Sequence, residues 1–203
     1  MLQLASQLWD ALQRSRILAD DRLAEVLSRY EAAPDEVPVT PSEIAQRLIA
    51  ERVITRFQAE KLLEGHFRLL RIGPYVLREL IGVGGMGAVY EAVDPDQGRP
   101  VAVKVLSEDF KYDAGMRTRF RMEATVGMTV DHPNLLRTYD HGTTDDVFGE
   151  MDYVVMELFR GIALHELLSV HGPLSWAMAC DIISQAAEGL QYLHDRGMVH
   201  RDV

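Results

Sequence analysis

The sequence predicts an α+β protein in two parts: an all-α segment over residues 1–70, then an antiparallel β-rich segment that gives way to helices. Three observations carry this reading. Apolar residues recur every three to four positions in the first part, as Leu4, Leu8 and Leu12 and then Leu23, Val26, Leu27 and Tyr30. After Gly73-Pro74 the period shortens to strand alternation. Charge shifts at the same place, from 10 basic and 11 acidic side chains over residues 1–72 to 11 and 20 over residues 73–203. With 203 residues, 47% hydrophobic and 26% charged, the chain is long enough for one domain and part or all of a second, each able to bury a core.

In the first part, Pro34, Pro38 and Pro41 divide the helical pattern, and four helices are expected. Thr40-Pro41-Ser42-Glu43 reads as an N-cap, a proline at the first helical position and an acidic first turn. Arg16-Ile17-Leu18 followed by Val26-Leu27 recurs thirty-six residues later as Arg52-Val53-Ile54 followed by Leu62-Leu63, which hints at a duplicated helical hairpin. In the second part, strands are expected over 75–82, 88–93 and 100–106, joined by glycine-rich or Asp-Pro-Asp-Gln-Gly turns. Met116, Phe120, Glu123, Ala124 and Gly127 then share one helical stripe that ends before His132-Pro133-Asn134. Strands over 135–141 and 153–158 precede a long final helix marked by Ile183, Ala187, Leu190 and Leu193.

Composition excludes several classes. A net charge of −10 argues against non-specific binding to nucleic acid or an anionic membrane, so any phosphate must be gripped locally. No apolar run is long enough for a membrane span. The lone Cys180 rules out an internal disulfide framework and fits a reducing compartment, so a cytoplasmic location is expected.

Residues 82–89, Gly-Val-Gly-Gly-Met-Gly-Ala-Val, form a G-x-G-x-x-G-x-V run, whose glycines let backbone amides approach phosphate oxygens. A dinucleotide fold would open a helix there, whereas Ala88 to Val93 alternates like a strand and favours a hairpin over a nucleotide. A glycine hairpin without a ligand is the plain alternative. Lys104 lies in the β-branched run Val101-Ala102-Val103-Lys104-Val105, where alternation puts it on the face of Ala102 and away from the valines. It either finds anionic partners there, phosphate and a carboxylate, or snorkels to water. Glu123 is either that carboxylate or a solvated helix glutamate paired locally with Arg119 or Arg121. His200-Arg201-Asp202 after the last helix places an aspartate where it can accept a hydroxyl proton.

In this order and at these intervals the residues resemble the eukaryotic-like (Hanks-type) protein kinases, specifically bacterial serine/threonine kinases with a Gly-Gly-Met-Gly loop. The resemblance runs from about Gly73 to Val203 and includes Asp131-His132-Pro133-Asn134 and the hinge Val154-Val155-Met156-Glu157. It implies a kinase small lobe, with an antiparallel sheet and its αC helix, and the first large-lobe helices over 73–203; residues 1–70 lie outside the kinase pattern, are similar to the helical leaders before some bacterial kinase domains, and are expected to serve in docking. It also implies ATP and magnesium as cofactors and protein hydroxyls as substrates, with no nucleic-acid partner.

By resemblance, Gly82, Val83, Gly84, Gly85, Met86, Gly87 and Ala88 would cover the phosphates, and Lys104, paired with Glu123, would hold two of them. Ile81, Val89 and Ala102 would sandwich adenine, Met156 would be gatekeeper, and the backbone of Glu157 and Phe159 would bond the adenine edge. Glu166 would contact ribose, and Asp202 would be the catalytic base. The sequence ends at Val203, before the asparagine and the Asp-Phe-Gly aspartate that bind magnesium in the family, so no metal ligand is expected within it and the polypeptide is expected to be inactive alone. The alternative is a non-catalytic nucleotide-binding or regulatory module.

Overall fold

The computed structural model describes residues 4–32, 40–146 and 149–200. Four helices open the chain: α1 Ala5–Ser15, α2 Asp20–Ala32, α3 Pro41–Ala50 and α4 Arg56–Leu63. Their apolar stripes meet in a core of their own, where Leu8, Leu12, Val26, Ile44, Leu48 and Leu62 are completely or almost completely buried. Each such side chain contributes about 2 kcal/mol of transfer free energy. Helix α3 starts as its sequence dictates: the Glu43 amide donates to Thr40 Oγ1 at 3.3 Å, the Thr40 amide donates to the Glu43 carboxylate at 3.1 Å, and Pro41 occupies the first turn. Pro34 and Pro38 lie outside the described residues.

The sequence repeat has a structural counterpart. Among the described residues only two non-glycine residues have positive φ, Arg16 at 52° and Arg52 at 58°. They stand thirty-six positions apart, each just after the first helix of its hairpin. A left-handed residue there turns the chain sharply toward the second helix, and the same device in both halves supports duplication.

A six-stranded antiparallel sheet follows, in the order β1-β2-β3-β4-β6-β5. Its strands are β1 Arg71–Ile72, β2 Tyr75–Gly84, β3 Gly87–Val93, β4 Pro100–Leu106, β5 Thr138–Asp146 and β6 Gly149–Glu157. Helix α5, Ala114–Gly127, lies between β4 and β5 in the chain, and α6 Leu164–His171 and α7 Trp176–His194 close the described part. Alternation gives the sheet two apolar faces. Val101, Val103 and Val105 join Tyr75, Leu77, Tyr153 and Val155 on one face, with Phe57 of α4 packed against them. Leu106, Phe120, Ala124 and Val154 form the other face under α5, flanked by Phe110 and Met156.

Some elements differ from the sequence reading. The strand expected over 135–141 begins at Thr138 and continues through Gly142-Thr143-Thr144-Asp145, residues with turn-forming side chains, because β6 supplies a full ladder of partners as far as Asp146 opposite Gly149. Two helices follow the hinge rather than one, separated at Gly172, whose φ of 74° ends α6, and at Pro173. The stripe Ile183, Ala187, Leu190 and Leu193 is expected to lie uncovered and largely does: only Leu193 is buried, and Ile183 is 63% exposed. The inner side of α7 instead packs against the turn at 131–134. There the Asp131 amide donates to Tyr192 Oη at 3.2 Å, and Asn134 Nδ2 donates to the Gln185 carbonyl at 2.9 Å and to Glu188 at 3.1 Å.

Candidate nucleotide-binding site

The β3–β4–β6 ladder settles which side chains share a face. Val89 stands opposite Lys104, and Ala102 stands opposite Met156. Directly paired residues project to the same side, as do residues two apart, so Val89, Ala102, Lys104 and Met156 line one surface next to the glycine hairpin. Glu91, directly opposite Ala102, shares this face and is held by Arg160 at 3.1 Å, and Val89, Ala102 and Met156 form an apolar patch beside the Lys104 ammonium. Lys104 is half-buried, with its Nζ 5.7 Å from the centre of the Phe120 ring of α5. No ion pair to Lys104 occurs among the described residues.

The glycine hairpin joins β2 to β3 through Gly84 opposite Gly87. Its turn is pinned from the side, because the Ser107 amide donates to the Met86 carbonyl at 2.9 Å. Gly82, Val83, Gly84 and Gly85 are exposed, Met86 and Ala88 half-buried, and Gly87 buried. A Cβ on Gly85 would meet nothing within 4 Å, whereas one on Gly87, whose φ is 149°, would stand 1.8 Å from the Val105 carbonyl oxygen. Gly87→Ala is therefore expected to destabilise the lobe by about 3 kcal/mol, from strain plus overpacking. Gly85→Ala should stay within about 0.5 kcal/mol of the parent. Thermal melts of the two variants check this contrast, and a Gly87→Ala melt matching the parent refutes it.

Glu123 is not beside Lys104. Of the two positions that periodicity leaves open the structure takes the solvated one, against the Lys104 pairing that the resemblance implies: Glu123 is exposed, and Arg119 Nε donates to its carboxylate at 2.9 Å. The reason lies one turn further round α5. Arg117 and Arg121 both grip Asp152 of β6, at 2.7 Å from Arg117 Nε and 2.7 Å from Arg121 Nη2, and Thr143 Oγ1 donates to it at 2.7 Å. Asp152 is 2% exposed. Burial alone would push its carboxyl up, but hydrogen bonds from Arg117, Thr143 and Arg121 outweigh that and hold its pKa at about 2. The Arg117 guanidinium is correspondingly raised, first by its bond to Asp152 and then by one to Glu150. The buried face of the helix therefore centres on Phe120 and Ala124, and Glu123 falls beyond its edge.

The remaining candidates divide similarly. Ile81, 52% exposed, is the residue skipped where the β2 register shifts between Leu80 and Gly82. Glu157 is exposed and its amide donates to the Arg137 carbonyl at 2.8 Å. Phe159 is 75% exposed. Glu166 accepts the Ala163 amide at 3.1 Å, which places its carboxylate at the start of α6. Asp202 and Arg201 lie outside the described residues. Among the described residues no group of three or more His, Cys, Asp or Glu side chains is placed to hold a metal ion, so these residues do not fit a protein-built magnesium site. A cavity of about 1000 Å³ lies on the opposite face of the sheet, between the helical unit and the hairpin, with Arg14, Arg16, Arg68 and Arg71 in its wall.

Residues 75–203 match the protein kinase domain family. The chain belongs to that family. The kinase region is similar to serine/threonine-protein kinase PknA of Mycobacterium tuberculosis, 43% identical over 132 residues, which cover 64% of this chain and 31% of PknA. Against PknB of the same organism it is 37% identical over 129 residues, covering 64% of this chain and 21% of that kinase. The chain thus spans a third or less of the length of these relatives. Among solved structures, the Mycobacterium tuberculosis PknI kinase domain superposes with a TM-score of 0.56 at 29% identity, over 66% of this chain and 53% of that one. The sheet with α5 is therefore a kinase small lobe, α5 is its αC helix, and the chain carries part of a kinase domain. The match does not extend to α1–α4. No helix among the described residues is long and apolar enough to cross a membrane.

Proposed function

We propose that this chain supplies the ATP-binding lobe of a protein serine/threonine kinase, which moves the γ-phosphoryl group of ATP to a protein hydroxyl. One observation carries the reading: the ladder puts Lys104, which has no ion pair among the described residues, on the same face as the apolar surface of Val89, Ala102 and Met156 and beside an open glycine hairpin. An ammonium so placed has phosphate oxygens as its natural counter-charge, and the apolar surface suits a purine ring. Asp202 would accept the proton of the attacking hydroxyl, and the two nearby backbone positions, Glu157 and Phe159, would read the adenine edge. Magnesium would neutralise phosphate charge in such a reaction, and its protein ligands would come from outside the described residues. The same reading places the protein in the cytoplasm and gives residues 1–70 a docking role, supported by their separate core.

The second reading, a lobe that binds nucleotide without transferring phosphate, draws on the separation of Glu123 from Lys104, since family catalysis requires that pair. Titration of the chain with a fluorescent ATP analogue tests what both share. Saturable binding displaced by ATP is expected, and a signal that ATP does not displace overturns both. Phosphotransfer by the full-length protein separates the two.

A further inference from the structure

We propose that the N-terminal cap of α4, Thr55 with Gln58, is a positioning element of the nucleotide lobe, holding a bulge in β2 and through it the aim of the glycine hairpin. The inference rests on the nucleotide reading above, and its structural part stands apart from it.

Thr55 and Gln58 form a reciprocal cap. The Gln58 amide donates to Thr55 Oγ1 at 3.1 Å, and the Thr55 amide donates to Gln58 Oε1 at 2.9 Å. This uses the acceptor of each side chain and leaves the donors free. Both donors go to the sheet. Thr55 Oγ1 donates to the Arg78 carbonyl and Gln58 Nε2 to the Leu77 carbonyl, each at 2.6 Å, and Gln58 is only 5% exposed.

Successive carbonyls of a regular strand point in opposite directions, so one helix terminus cannot take two in a row. Here it does, because β2 is bulged at this point. Leu77 stands opposite Ala92 and Glu79 opposite Glu91, leaving Arg78 without a ladder partner. The cap satisfies the backbone oxygen that the bulge displaces from the ladder. A second register shift follows at once, between Leu80 and Gly82, and leads into the hairpin. Bulges bend and twist a strand, so the direction in which residues 82–87 leave the sheet depends on the bulge at Arg78 being held. Phe57, between the two cap residues, packs against Tyr90 of β3 with ring centres 5.9 Å apart, which fixes the same helix turn to the other strand of the hairpin.

Thr55→Asp separates this role from helix capping, since aspartate caps as well as threonine but has no proton for the Arg78 carbonyl. Thr55→Ser keeps both functions. Amide hydrogen exchange is read over 79–89 and, as a control, over 56–63, together with the dissociation constant of a fluorescent ATP analogue. In Thr55→Asp, exchange over 79–89 is expected to accelerate about tenfold and affinity to fall about tenfold with α4 unchanged, while Thr55→Ser behaves as the parent. Gln58→Met, which introduces no charge, repeats the test if Thr55→Asp does not give a cooperatively melting chain. Parental exchange over 79–89 in a folded variant overturns the proposal. So does loss of the whole fold in both variants, because the cap would then be structural only. If the parent chain binds no nucleotide, the nucleotide reading falls, and the exchange data still decide whether the cap positions the hairpin.

Discussion

Lys104→Met in the full-length protein is expected to reduce phosphotransfer by at least about a hundredfold while leaving the melting temperature within a few degrees of the parent. The activity loss follows from removing the ammonium that the ladder places beside the glycine hairpin. Deleting a single preorganised electrostatic contact to a reacting group typically costs 10²- to 10³-fold. The mild stability effect follows from what Lys104 touches. It is half-buried, has no ion pair among the described residues and lies 5.7 Å from the Phe120 ring. Methionine fills similar volume, so the loss is limited to a cation–π contact of about 0.5–1 kcal/mol, partly offset by removing the desolvation cost of an ammonium. Radiolabel transfer and a thermal melt on the same preparation check both parts. An active Lys104→Met enzyme refutes the assignment, and an inactive but unfolded one refutes the account of its surroundings.

The side of the sheet on which Lys104 stands was legible in the sequence because strand alternation is local: five residues, Val101 to Val105, suffice to separate its face from that of the valines. Helix formation in residues 1–70 was legible for the same reason, through apolar spacing and proline punctuation. Orientation across elements was not. Glu123 lies close enough to the Phe120–Ala124 stripe that periodicity admits both an inward and a solvated position, and the choice is made by Asp152, on another strand and 31 residues away from Arg121. An aspartate just before the apolar run Tyr153-Val154-Val155-Met156 reads as a strand end until the helix that buries it is known. Thr55 and Gln58 spell an ordinary helix start, and nothing local shows that their spare donors reach β2. Strand β1, two residues long, carries no period to detect, and α6 begins within a few residues of the hinge without a polar N-cap.

Asp152 also gives the lobe a defined acid sensitivity. Its carboxyl is held from an ordinary 3.8 down to about 2, by hydrogen bonds from Arg117, Thr143 and Arg121 that exceed the opposing effect of burial. A carboxyl whose folded pKa lies below its unfolded value stabilises the fold above the unfolded pKa and loses that contribution as pH falls through the folded one. The shift corresponds to about 2 kcal/mol, fully present above about pH 5 and lost progressively toward pH 2. Asp152→Asn is therefore expected to lower the melting temperature at pH 7 by roughly 4–8 °C, at 2–4 °C per kcal/mol for a chain of this size. Asparagine retains one acceptor, and Arg117 keeps its 2.9 Å bridge to Glu150, so the variant should still fold. The difference between parent and variant, measured at intervals from pH 7 to pH 2.5, should shrink as the medium becomes more acidic. A difference that is constant across this range would mean that the clamp acts through packing alone. Arg117→Met tests the other side of the pair and should cost more than Asp152→Asn, because it leaves a carboxylate with 1% side-chain exposure one guanidinium short. The reverse order of the two melts would show that Arg121 and Thr143 alone can hold the charge.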